Sequence, residues 1–146
     1  MRVRMKIAFT CHLLVTIVLV LTGALYLFTP KFMPYHSELV GKTWEQLDPS
    51  FQLLLLGFLK LSGGAVITIA LAMLIILIIP FRQGIRWAKW TVPIVGLCGI
   101  SASLYAALYI AFKARISVHW PSLVFFMVIL IIGFLFSLEP EKKDIV

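Results

Sequence analysis

FQLLLLGFLKLSGGAVITIALAMLIILIIP, residues 51–80, carries one charge, Lys60, in thirty positions. A helix needs ~20 apolar residues to cross a hydrocarbon core ~30 Å thick, so this stretch reads as a membrane span. Three more segments qualify on either side of it: 7–29, uncharged between Lys6 and Pro30, then 91–112 and 120–138. The whole chain of 146 residues is 62% apolar and 13% charged. A soluble domain is about half apolar and about a quarter charged. These figures exclude disorder, collagen and a disulfide-stapled secreted domain, and leave no room for a soluble catalytic domain beside the spans. The expected fold is all-α: an integral membrane four-helix bundle, up-down-up-down, forming one transmembrane domain over residues 1–146.

Boundary signals agree with the spans. Asp48-Pro49 reads as an N-cap followed by proline at the first helical position, where a missing N–H costs nothing. Thr91 with Pro93, and Trp120 with Pro121, look like two further starts, while Pro30, Pro80 and Pro140 mark stops. The basic stretch Met1–Lys6 and Thr22-Gly23-Ala24 loosely resemble a signal peptide. The apolar run continues to Phe28, too long for that role, so an uncleaved first helix is expected.

The net charge of +7 does not form one polar face, so nucleic acid is not an expected partner. Eight basic residues (Arg2, Arg4, Lys6, Arg82, Arg86, Lys89, Lys142, Lys143) fall on one side of the spans and four (Lys31, Lys42, Lys113, Arg115) on the other. The positive-inside rule then places both termini in the cytoplasm. Trp87 and Trp90, with Trp44 and Trp120, fit interfacial belts at the two surfaces.

The loop 30–48 is the largest polar piece. Its start is expected to be irregular at Pro30 and Pro34, and its second half, Ser37 to Leu47, to form a short interfacial helix. Thr43-Trp44-Glu45-Gln46 has capping-box spacing. The segment Phe81 to Trp90 reads as a basic, aromatic turn. Gly63, Gly64 and Gly99, with the row Gly99, Ser103 and Ala107, are expected to lie against neighbouring helices, because membrane helices associate through small residues. The fourth span has few such residues and is expected to be the most lipid-exposed.

Chemistry is sparse. Cys11 and Cys98 lie within spans and form no C-x-x-C pair. His12 lies in the first span without a second histidine at its depth, which argues against a bis-histidine haem. All six acids lie in loops, in the tail or at helix ends, so a proton carrier with a buried acid, such as the small multidrug-resistance transporters, is not indicated. The chain has no asparagine, and no nucleophile elbow, P-loop or H-E-x-x-H. No catalytic residue, metal ligand or cofactor is assigned. The residues that could form a ligand site all fall toward the outer side: Lys60, His36, Glu38, Tyr105, Tyr109 and His119, with Tyr26 in the same layer. His36, Glu38 and His119 have too common a spacing to define a metal site. Lys60, the one basic residue inside an apolar span, is expected to be held at the outer membrane boundary by an acid from the large loop, Glu38, Glu45 or Asp48.

The motifs Phe32-Met33-Pro34-Tyr35-His36, Trp44-Glu45-Gln46-Leu47-Asp48-Pro49, Leu61-Ser62-Gly63-Gly64, Pro80-Phe81-Arg82-Gln83-Gly84 and Trp87-Ala88-Lys89-Trp90 resemble an uncharacterised group of small bacterial four-span membrane proteins. The resemblance runs from the first span through the third. It implies a bacterial inner-membrane location and no mechanism. Three functions fit the sequence. They are a non-enzymatic accessory or oligomeric membrane subunit, a binder or carrier of a lipophilic molecule such as a quinone or lipid, and a membrane enzyme with an outer-loop site. The bilayer is the expected partner, with other membrane subunits or a second copy beside it.

Overall fold

The computed structural model describes residues 3–116, 118 and 120–138. Its helices are α1 (Val3–Phe28), α2 (Pro34–Val40), α3 (Pro49–Ile76), α4 (Arg86–Ala114) and α5 (Trp120–Ser137), and no strand occurs among the described residues. α1, α3, α4 and α5 are each long and apolar enough to cross a membrane, which makes this a multi-pass membrane protein. Successive spans run in opposite directions, and around the bundle the order is α1, α3, α4, α5. The terminal end of the bundle carries Val3 and the α3–α4 turn. The end carrying residues 29–48 is the loop end.

Local chemistry sets the helix limits. The Asp48 carboxylate accepts the Ser50 N–H at 2.8 Å, and Pro49 occupies the first turn of α3, as the sequence indicates. At its other end α3 passes into one π turn, Leu77–Phe81, which contains Pro80. Proline cannot supply the helical N–H, and the wider turn gives its ring room; Ile85 N–H reaches back to the Pro80 carbonyl at 3.1 Å. Gly84, at φ +78°, then reverses the chain.

Several boundaries differ from the sequence reading. α4 begins at Arg86, five residues before Thr91, so Pro93 lies inside the helix, where it is buried. Membrane helices tolerate an internal proline because neighbouring groups satisfy the freed carbonyls. The connection after α3 is correspondingly shorter than Phe81 to Trp90. In the large loop the helix is Pro34–Val40, with Pro34 at its start, and only a 3₁₀ turn, Trp44–Gln46, follows. Gly41 ends α2 in the left-handed conformation (φ 68°), which prevents one helix from spanning Ser37 to Leu47.

The core is asymmetric. Its main cluster, including Met73, Leu77, Phe81, Val92 and Leu130, lies toward the terminal end. There Gly96 admits the Leu130 and Met73 side chains, and Trp90 packs on Phe134. Toward the loop end α1 and α3 stay paired, while α4 has no buried residue from Ser101 to Ala114. The least buried span is therefore the third, not the fourth. Gly23 and Gly63 form the tightest crossing. A Cβ on Gly63 would stand 2.6 Å from the Leu27 nitrogen and 2.7 Å from the Gly23 carbonyl oxygen. Only hydrogen fits at that position.

Candidate functional site

At the loop end a second small core forms where Phe32, Trp44 and Leu47 fold onto Leu59 and Leu55 of α3. Gln52 fastens it by donating to the Trp44 carbonyl at 2.7 Å, and Thr43 N–H donates to the Gln46 side chain at 3.0 Å. His36 lies within this layer. Its Nδ1 accepts the Met33 N–H at 3.1 Å, which caps α2, and its ring packs on Tyr35 and Phe32. Burial holds His36 below the ordinary histidine value. Tyr35 and Tyr26 share a hydroxyl hydrogen bond of 2.8 Å, and burial, followed by that bond, pushes the Tyr35 phenol above the usual tyrosine value. The Glu45 carboxyl lies below the usual carboxylate value because it accepts from its own backbone N–H and from Thr43.

Among the described residues Lys60 takes no acidic partner. Its ammonium donates to the Leu27 carbonyl at 2.9 Å, at the last turn of α1. That carbonyl lacks an intrahelical donor, so the lysine completes the helix end and meets the negative pole of its dipole. A charge-assisted bond at this position makes folding back an acid unnecessary. Glu38 is exposed. Tyr105 and Tyr109 stack on each other at 6.5 Å on α4, 74% and 57% exposed, and no hydrogen bond or ring contact joins them to Lys60 or His36. His119 lies outside the described residues. Among the described residues no three histidines, cysteines or acids come within reach of one metal ion. The loop-end candidates thus divide into a helix cap (His36), a helix-end clamp (Lys60) and an exposed aromatic pair (Tyr105, Tyr109).

The terminal half holds a group the candidate set omits. His12 is fully buried, and among the described residues neither ring nitrogen has a hydrogen-bond partner. Gly133 of α5 presses its backbone against the ring: a Cβ there would stand 2.9 Å from Cε1 and 3.2 Å from Nδ1. Phe81, held in the π turn, meets the ring edge-on at 5.5 Å. Cys11, half-buried and free, lies beside the same glycine, and Thr16 donates to the His12 carbonyl. A buried polar atom without a partner costs about 1–3 kcal/mol. The signal in the sequence was the spacing Met5, Ala8, His12, Val15, which sets the histidine on the inward seam of α1.

The third feature is the outward face of α3. Gly23, Gly63, Gly96, Gly99 and Gly133 each approach a neighbouring helix; a Cβ on Gly99 would stand 3.3 Å from Ile69 Cδ1. Gly57 and Gly64 have nothing within 4 Å of where a Cβ would stand. Gly64 therefore departs from the expected inward packing, because one residue turns the helix by about 100° from Gly63. Comparison with protein families, with curated proteins and with solved structures gives no match.

Proposed function

We propose that this chain is a non-enzymatic subunit of a bacterial inner membrane, with both termini cytoplasmic, and that it seats another membrane helix on the outward face of α3. The observation that carries the reading is the pair Gly57 and Gly64. Glycine in a helix costs about 0.5–1 kcal/mol relative to alanine, and within this chain these two gain no close approach in return. A helix packed against them supplies one, since membrane interfaces favour small residues for this purpose. Ala65, Thr68 and Ala72 continue the small, exposed surface inward along α3. The inner-membrane location follows the resemblance in the sequence, and the orientation follows the excess of basic residues at the terminal end.

The lipophilic-carrier reading has less support, because Lys60, Tyr105 and Tyr109 are not drawn together. The test is native mass spectrometry of gently solubilised protein. The wild-type chain is expected to carry additional protein mass. A Gly57→Leu/Gly64→Leu variant is expected to fly as a single chain whose own fold is no less stable, since both positions have open space and each loses the helical cost of glycine. An unaltered mass in the variant overturns the reading.

A further inference from the structure

We infer that the helix seated on α3 is α3 of a second copy of this chain, the two running side by side out of the hydrocarbon and past it. This rests on the reading that α3 seats a membrane helix, and adds the identity of the partner.

The first argument is length. α3 with its π turn spans Pro49–Phe81, 33 residues, which is ~50 Å of helix. Fitting that inside ~30 Å of hydrocarbon needs a tilt above ~50°, beyond the range of about 0–40° found for membrane helices. The depth is marked internally by Lys60, whose ammonium meets the end of α1 at Leu27. From Lys60 to Phe81 the rise is ~32 Å, which already uses the hydrocarbon. Pro49 to Leu59 therefore stands ~16 Å beyond it. The loop residues Phe32, Trp44 and Leu47 cover one side of this extension. The other side exposes Leu53 (74%), Leu54 (53%) and Phe58 (60%), and with the hydrocarbon used up by residues 60–81 these lie beyond its edge. An apolar patch of that kind marks a protein interface. Its partner must be a helix that extends equally far past the membrane at the same end. A second copy, inserted in the same orientation, does so by construction, each depth meeting itself.

Charge and spacing agree. The exposed row Phe51, Leu54, Phe58, Leu61, Ala65, Thr68, Ala72, Ile75, Ile79 advances in alternating steps of three and four and carries no charge. That is the period of two helices crossing at a shallow left-handed angle. Lys60, the cation beside the row, is drawn toward α1 by its bond to Leu27. A parallel pair thus brings no like charges together. Gly57 and Gly64, and Ala65 and Ala72, recur at seven residues and let the two backbones approach. The row is ~42 Å long, and at a helix width of ~10–12 Å the two faces together reach on the order of 1,000 Å², the lower bound for a specific interface.

The experiment combines cross-linking with mass. In a Cys11→Ser/Cys98→Ser chain reconstituted in liposomes, Leu61→Cys and Ala65→Cys are expected to give disulfide-linked dimers on oxidation with copper phenanthroline. Leu25→Cys on α1 and Tyr109→Cys on α4 are expected to give none, and adding Gly64→Leu is expected to abolish the α3 cross-links. Equal cross-linking at Leu25→Cys or Tyr109→Cys overturns the inference. The native chain supplies the second readout by mass. Two copies support the inference. One copy with a different membrane protein overturns it and leaves the seated-helix reading intact, whereas one copy alone overturns both.

Discussion

His36 accepts the Met33 N–H through Nδ1, and only a neutral ring can do so. Its value is held below the ordinary ~6.5, so the cap is fully present above that pH in the folded chain. As pH falls below ~6.5 the unfolded segment takes up its proton first, and stability is lost progressively down through the depressed folded value. Amide protection in α2, corrected for intrinsic exchange, is therefore expected to fall between pH 7.5 and 5, with about 1 kcal/mol at stake in such a cap. His36→Gln keeps an acceptor at the same helical position and is expected to flatten that pH dependence. His12 makes the opposite case. Its two nitrogens bond nothing among the described residues, so the fold gains little from them. His12→Leu is expected to leave the bundle assembled and to raise its melting temperature in detergent, by the equivalent of about 1–3 kcal/mol. A fall in melting temperature would show that the imidazole has a partner in the folded protein.

Adjacent glycines on α3 separate two kinds of packing. Gly63→Leu drives a side chain into the backbone of α1 at Gly23 and Leu27, and is expected to cost more than the about 1–3 kcal/mol typical of overpacking. Gly64→Leu points into open space and is expected to raise the thermal midpoint of the separated chain slightly, by the equivalent of about 0.5–1 kcal/mol of helix propensity. Circular dichroism melts of the two variants in the same detergent make the comparison. The sequence showed that small residues cluster at 62–65, but not which of them faces inward, because that depends on how α3 is rotated in the bundle. Helix starts were more legible. Asp48-Pro49 and Trp120 open α3 and α5 where read, since a cap and a first-turn proline act locally. Pro93 misled, as the same residue that starts a helix in water is tolerated inside one in a membrane. The site was harder still: nothing near Lys60 in sequence announces Leu27, whose bare carbonyl exists only because α1 ends beside it.

Across the whole bundle the described basic residues at the terminal end are Arg4, Lys6, Arg82, Arg86 and Lys89, and Arg82 and Arg4 rest over Phe9 and Phe136 there. With the terminal end cytoplasmic, reporter fusions at Val146 and at Lys42 are expected to give opposite signals, the first cytoplasmic and the second periplasmic. A periplasmic signal at Val146 reverses the orientation. Four spans were legible because their apolar runs are long. Their unequal packing was not, since it arises from contacts between distant segments. The order of synthesis acts on that packing. Helices leave the ribosome in sequence, so α1 and α3 can close their Gly23–Gly63 crossing before α5 has been translated. Until then the imidazole of His12 meets acyl chains on the side where Gly133 will lie. α5, made after the other three spans, is the one that seals it. A nascent chain halted before residue 120 thus displays a polar ring to the bilayer that the finished chain hides, a chemical difference by which membrane quality control can tell one from the other.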